Sequence, residues 1–128
     1  MNKKKYTIAQ ILPALNTGGV ERGVVEVSKS LVENDFKSIV ISSGGHMVSQ
    51  ITRNGGIHYD LSVNSKNPLK WPKIRNQLKI ILESENVDLI HFCSRAPAWI
   101  GVPLGTVLDI PIITSCLLYT SDAADDRV

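Results

Sequence analysis

The chain has little cysteine: two residues, Cys93 and Cys116, and no Cys-x-x-Cys pair. That number and spacing exclude a disulfide framework and a cysteine metal site. Net charge is also scarce. A formal balance of +2 at pH 7 is too small to imply a nucleic-acid partner. Much of the excess sits in Lys3, Lys4 and Lys5, which read either as a solvated terminus or as a weak attraction to an anionic membrane surface. No apolar h-region follows that charge, so the terminus does not read as a signal peptide. The most apolar stretch, 96–113, is interrupted by Pro97, Pro103, Asp109 and Pro111. A membrane span wants about 20 apolar residues with few breaks, so this stretch reads as a helix followed by a strand. These absences point to the reducing cytoplasm.

Several chemical signatures are missing as well. No Gly-x-Gly-x-x-Gly or Gly-Lys-[Ser/Thr] occurs, which demotes dinucleotide-binding and P-loop readings. His46 and His58 have no metal-ligand spacing with each other or with Cys93, and no metal site is expected. No Ser-His-Asp or Cys-His arrangement can be certified from spacing. There is no internal repeat, long linker or low-complexity tract.

What is present is an ordinary soluble composition, 43% apolar and 20% charged over 128 residues, enough for one modest domain. Short β-like runs alternate with helix-length amphipathic segments. Strands are expected at 6–12, 37–42, 57–61, 87–92 and 110–114. Helices are expected at 20–34, where Val20, Val24, Val27 and Leu31 recur with helical period, and at 46–54, closed by Gly55. Two more are expected at 71–83, with Pro72 in the first turn and Trp71, Ile74, Leu78 and Ile81 on the buried side, and at 97–108. Ile57, Tyr59 and Leu61 alternate with His58 and Asp60, as in a strand with one buried face. Five strands with four intervening helices imply an α/β fold: a Rossmann-like parallel sheet with helices on both faces. Ligands of such sheets bind beyond the carboxyl ends of the strands, which selects residues 13–21, 42–46, 62–67 and 93–97.

The first of these segments holds Asn16-Thr17-Gly18-Gly19-Val20-Glu21-Arg22-Gly23 between a strand and a helix. Glycines there let backbone approach a ligand, and a helix N-terminus offers free N–H groups to an anion. A plain tight turn explains the Gly pair equally well. Glu21 favours the helix dipole in any case. Gly23, inside the helix, costs about 1 kcal/mol relative to Ala, and close helix–sheet packing is the expected reason for it. The last segment, His91-Phe92-Cys93-Ser94-Arg95-Ala96-Pro97-Ala98-Trp99, leaves a strand and enters a helix. Ser94 can cap that helix. Arg95 can hold a phosphate or carboxylate in its planar fork or form a surface ion pair. His91 reads as a structural histidine and Trp99 as core. Ser43-Gly44-Gly45 can line the cleft or simply turn the chain.

These pieces together resemble the N-terminal domain of GT-B glycosyltransferases, and family four in particular. The matching residues are Ile11-Leu12-Pro13 with Gly18-Gly19-Val20-Glu21-Arg22-Gly23, Ile41-Ser42-Ser43-Gly44-Gly45, Asp88-Leu89-Ile90-His91 with Ser94 to Trp99, and Ile110-Pro111-Ile112-Ile113-Thr114. The resemblance implies metal-independent, cofactor-free, retaining transfer from a nucleotide-sugar to a surface-glycan or lipid-linked acceptor, with lipopolysaccharide core as the nearest flavour. It implies that Gly18, Gly19, Glu21 and Arg22 serve the donor. Ser43, Gly44, His91, Ser94 and Arg95 would lie on the acceptor side. Peripheral contact with the inner membrane leaflet stays open.

The chain departs from the family pattern at its end. Leu117 stands where the family has His, and residues 116–128 resemble translated adapter sequence rather than native protein. The expected organisation is therefore an incomplete N-terminal domain over 1–115, a non-native tail, and a missing C-terminal donor-binding domain, so that this fragment alone is expected to be inactive. A non-catalytic Rossmann-like module that binds an anion or a partner protein is the competing reading.

Overall fold

The computed structural model describes residues 5–15, 18–63, 67–93 and 95–114. The expected non-native tail lies outside them. The elements run β1 (Thr7–Ile11), α1 (Gly19–Glu33), β2 (Lys37–Ser42), α2 (Val48–Arg53), β3 (Ile57–Asp60), a single 3-10 turn at Pro68–Lys70, α3 (Trp71–Ser84), β4 (Leu89–Phe92), α4 (Arg95–Leu108) and β5 (Ile112–Thr114). All strand pairings are parallel, in the order β3-β2-β1-β4-β5. The elements expected from sequence are all present, with ends displaced by at most two residues.

Alternation along the strands builds two cores. Ala9, Ile11, Ile39, Ile41, Ile90 and Phe92 point to one face, where α3 (Ile74, Leu78, Leu82) and α4 (Ala98, Ile100, Leu104) cover them. Val40 points to the other face, with Leu12 and Cys93 just past their strands, beneath α1 (Val24, Val25) and α2 (Ile51). Burying a side chain such as Phe92, which is fully enclosed, contributes about 2–3 kcal/mol.

Every described α-helix stops in the same way. The N–H two residues beyond the cap returns to the carbonyl five residues back: Phe36 to Leu31, Gly56 to Ile51, Val87 to Leu82 and Ile110 to Gly105, all within 2.8–3.1 Å. This Schellman geometry needs a left-handed residue. Gly55 supplies it for α2 at φ 91°, as expected, while Asp35, Asn86 and Asp109 supply it elsewhere, being the non-glycine types that tolerate that region best. Each helix thus turns within two or three residues toward the next strand.

Two buried faces differ from expectation. In α1 the buried residues are Val24, Val25 and Ser28, whereas Val27 is 44% exposed. The helix leans toward β2, where Ser28 and Ser38 share a 2.7 Å hydroxyl hydrogen bond, and the β4 side of α1 is left uncovered. Ile57 is exposed because β3 is an edge strand. At the rim opposite the strand carboxyl ends, Glu85 accepts from Lys37 at 2.5 Å and from the Tyr59 hydroxyl. Lys37 is 38% exposed, so this ion pair contributes less than about 1 kcal/mol.

Glycines separate the tight contacts from the loose one. A Cβ on Gly101 would lie 2.6 Å from Phe92 Cζ, and one on Gly105 would collide with the Ile112 side chain. These two glycines let α4 sit close on β4 and β5. A Cβ on Gly23 would meet nothing within 4 Å. Close packing, expected from the sequence, is therefore not the reason for Gly23: among the described residues nothing fills the space beside it. Gly101→Ala should lower stability by about 1–3 kcal/mol through overpacking. Gly23→Ala should raise it by roughly 0.5–1 kcal/mol through helix propensity. Denaturant titration of the two variants checks both signs.

Candidate functional site

The sheet order changes direction at β1, between β2 on one side and β4 on the other. Connections leaving β1 and β4 pass to opposite faces, so a crevice opens between them at their carboxyl ends, where ligands of this architecture bind. Three segments meet there: the entrance to α1, the loop after β2, and the turn from β4 into α4.

The β1 and β2 loops are stitched together. Ser43 donates both its backbone N–H (2.9 Å) and its hydroxyl (2.6 Å) to the Pro13 carbonyl. Leu15 N–H donates to the Gly44 carbonyl at 2.8 Å, and Met47 N–H to the Leu15 carbonyl at 2.9 Å. Gly44 has φ 100°, a conformation that favours glycine, and its N–H donates to Ser42 Oγ at 3.0 Å. Ser42 Oγ also lies 2.7 Å from His58 Nε2. Ser42 is fully buried, so the Ser–His pair holds the loop and is not an accessible nucleophile. Ser43 and Gly44, expected on the acceptor side, are thus at the crevice rim and fixed there.

Gly18 and Gly19 open α1. Gly18 is the cap residue in extended backbone, with no side-chain cap. The Glu21 carboxylate folds back over it: a Cβ on Gly18 would lie 2.7 Å from Glu21 Oε1. This is the position from which a residue at the third helical place stabilises its own cap. Gly19 is exposed, with nothing within 4 Å of where a side chain would go. Arg22 is exposed three residues further on. The four residues expected at the donor site therefore share one helix end, with Gly19 facing open space and Glu21 turned inward.

His91 is half-buried on β4 and pairs in register with Gln10 of β1. Its Nδ1 lies 3.7 Å from Cys93 Sγ. Ser94 lies outside the described residues, and so do the side chains of Arg95 and Trp99. Among the described residues, no group of three or more His, Cys, Asp or Glu is placed to hold a metal. A second depression, of about 480 Å³, borders Asp60, Leu61 and Ser62 past β3, facing Lys70, Lys73 and Gln77. It adjoins the 62–67 segment expected to meet ligand.

Sequence reasoning missed Gln10. It is 1% exposed, and its side chain lies between β1 and α1, where Nε2 donates to the Val24 carbonyl at 3.3 Å. Its Oε1 has no partner among the described residues. The signal was available: an amide stands at an inward position of Thr-Ile-Ala-Gln-Ile, a strand otherwise built of β-formers.

The family model of Glycosyltransferase Family 4 matches residues 17–116, a span that runs from the α1 entrance through β5. The chain belongs to glycosyltransferase family 4. Among solved structures, a glycosyltransferase from Rickettsia africae is 39% identical with a TM-score of 0.75, over 88% of this chain and 30% of that one. The chain thus spans under a third of that relative's length. MurG of Acinetobacter baumannii superposes with a TM-score of 0.66 at 16% identity, over 85% of this chain and 34% of that one. The C-terminal domain of the PF1911 hydrogenase of Pyrococcus furiosus superposes at 0.62 and 16% identity, over 89% and 94%. The last two show the fold alone. No curated protein is matched by the sequence. The Rossmann-like α/β sheet is that of a GT-B N-terminal domain, seen in part. No described helix is long and apolar enough to cross a membrane.

Burial pushes the pKa of both His58 and His91 down from 6.5, although Asp60 partly opposes the shift at His58. A depressed histidine binds fewer protons folded than unfolded, so stability rises with pH in this window. The contribution is complete above about 6.5 and is lost as pH falls below it. Glu85, lowered by its hydrogen bonds from Lys37 and Tyr59, adds a second loss below about 4.5. The melting temperature should therefore fall between pH 7.5 and 5.5, and the slope should shrink in the double variant His58→Gln/His91→Gln. An unchanged slope would assign the dependence to other groups.

Proposed function

We propose that this chain is the acceptor-side part of the first domain of an enzyme that transfers a sugar from a nucleotide-sugar to a surface-glycan or lipid-linked acceptor. The observation that carries the reading is the exposed Gly19 at the head of a 15-residue helix beside the β1–β4 switch point. The first N–H groups of a helix have no intrahelical partner, and they lie at the positive end of its dipole. A diphosphate leaving the donor sugar accumulates negative charge, and fixed donors aimed at that position stabilise it without reorganisation. The inward-turned Glu21 supports the cap, and exposed Arg22 supplies a cation at the same rim.

The stitched rim of Ser43 and Gly44, with His91 across it, is a fixed surface suited to the acceptor. Ser94 and Arg95 join it by the family pattern. The donor's nucleotide would be held by a second domain across the crevice. The lipopolysaccharide-core acceptor, hexosyl donor, absence of a metal and cytoplasmic setting at the inner leaflet belong to this proposal too. On this reading residues 1–115 alone do not turn over, and 116–128 are not native.

The test is to extend the reading frame from the source DNA and assay the longer enzyme for nucleoside diphosphate release from nucleotide-sugars. Release dependent on a glycan or lipid-linked acceptor is expected; no release and no nucleotide-sugar binding would sink the proposal. Within that enzyme, Gly19→Leu should cut turnover by about 10²-fold or more, the scale of losing an oxyanion donor. The melting temperature should hold, because Gly19 is exposed and no described atom lies within 4 Å of where a Cβ would go. Retained turnover would remove the glycine pair from the mechanism.

A further inference from the structure

Positive charge is unevenly spread along the chain. Between Asp60 and Glu83 lie Lys66, Lys70, Lys73, Arg75 and Lys79, and no acidic residue. The other nine basic residues are outnumbered by twelve acidic ones, so the rest of the chain carries a net −3. Arg75 is taken up by packing, since its Nε donates to the Ile100 carbonyl at 2.6 Å, and Lys66 lies outside the described residues. Lys70 and Lys73 are exposed, on the turn at Pro68–Lys70 and on the first turn of α3. α3 buries Ile74, Leu78 and Leu82. Lys73, Asn76 and Ile80, at i, i+3 and i+7, share the opposite stripe and are exposed.

Two apolar side chains stand uncovered among these cations. Leu69 is 89% exposed and Ile80 58%. The turn holds Leu69 outward: Asn67 Oδ1 accepts its N–H at 3.1 Å, and Pro68 occupies the first helical position. Lys70 and Lys73 flank the depression of about 480 Å³, which Ser62 and Gln77 also border. Asp60 borders it too, but among the described residues neither lysine forms an ion pair with it. Because α3 starts beyond the carboxyl end of β3 in an all-parallel sheet, this turn lies at the same rim as the crevice.

Charge and exposure together select a partner. A purely polar polyanion leaves Leu69 and Ile80 in water, and an apolar protein groove leaves the lysines unpaired. A bilayer rich in anionic lipid meets both, with a negative surface over hydrocarbon. We propose that the Pro68–Lys70 turn and the outward stripe of α3 dock on an anionic lipid surface, with Leu69 entering the headgroup layer and Lys70 and Lys73 on lipid phosphates. A lipid-linked acceptor then reaches the crevice without leaving its bilayer. That use of the dock rests on the transferase reading; the docking itself does not.

The test is flotation of the full 128-residue chain with vesicles of phosphatidylglycerol and phosphatidylethanolamine, and with vesicles of phosphatidylcholine alone. No nucleotide-sugar or acceptor is present, so a failed transferase assay leaves its outcome untouched. Co-flotation with the anionic vesicles only is expected, weakening as salt is raised. Each basic residue near such a surface strengthens binding about fivefold, so Lys70→Glu/Lys73→Glu should weaken it by about 25-fold or more. Leu69→Ser should weaken it by about tenfold. All three positions are exposed, so circular dichroism of both variants should match the parent. Lys3→Ala/Lys4→Ala/Lys5→Ala, ahead of β1, should keep the larger part of the binding. No co-flotation, equal binding to neutral vesicles, a charge-reversed variant that floats like the parent, or loss of binding in the triple variant instead would overturn the proposal.

Discussion

The structure depends on the position of β1. It pairs on both edges, and its Ala9 and Ile11 are fully enclosed in the core beneath α3 and α4. Because the chain goes first to β2 and later returns to β4 on the other edge, the helices of the two halves must lie on opposite faces. The crevice at the carboxyl ends of β1 and β4 is a geometrical consequence of that order, present before any particular side chain is chosen. The residues assigned to sugar transfer are those that the chain passes as it leaves these two strands.

Rigidity at the rim comes from backbone rather than from salt bridges. Pro13 accepts two hydrogen bonds from Ser43, and the Leu15 and Gly44 backbones are joined, so two loops move as one. Gly44 N–H, Ser42 Oγ and His58 Nε2 continue that chain of hydrogen bonds into the sheet. A surface that binds a ligand needs such pre-positioning more than it needs stability. The Lys37–Glu85 pair, at the far rim, serves the fold alone.

The two sides of α1 show how packing divides labour between stability and binding. Toward β2 the helix is closely packed and carries the Ser28–Ser38 hydrogen bond. Toward β4 it presents Gly19, Gly23 and the exposed Val27 over a shallow, mostly apolar depression. A fold selected only for stability would fill that space, since alanine at position 23 costs nothing in contacts and gains helix propensity. The glycine is unfavourable for the helix itself, and it borders the depression on the β4 side.

The sequence by itself determined the order and type of the elements, because hydrophobic period depends only on which residues follow one another. The 3.6-residue repeat through 71–83 and the run 37–42 could be read without knowing their neighbours. It also determined the family, because the Gly18-Gly19 motif and the segments after it keep their order and spacing. The capping residues Asp35, Asn86 and Asp109 were harder to see, since Asp and Asn are common in loops of every kind. Only the tertiary structure decided which half of α1 is buried, that Ile57 is exposed at an edge, and that Gly23 borders a cavity rather than a contact. It alone put Gln10 beside His91. Those facts depend on where another segment, distant in the chain, comes to rest, and local pattern carries no record of that distance.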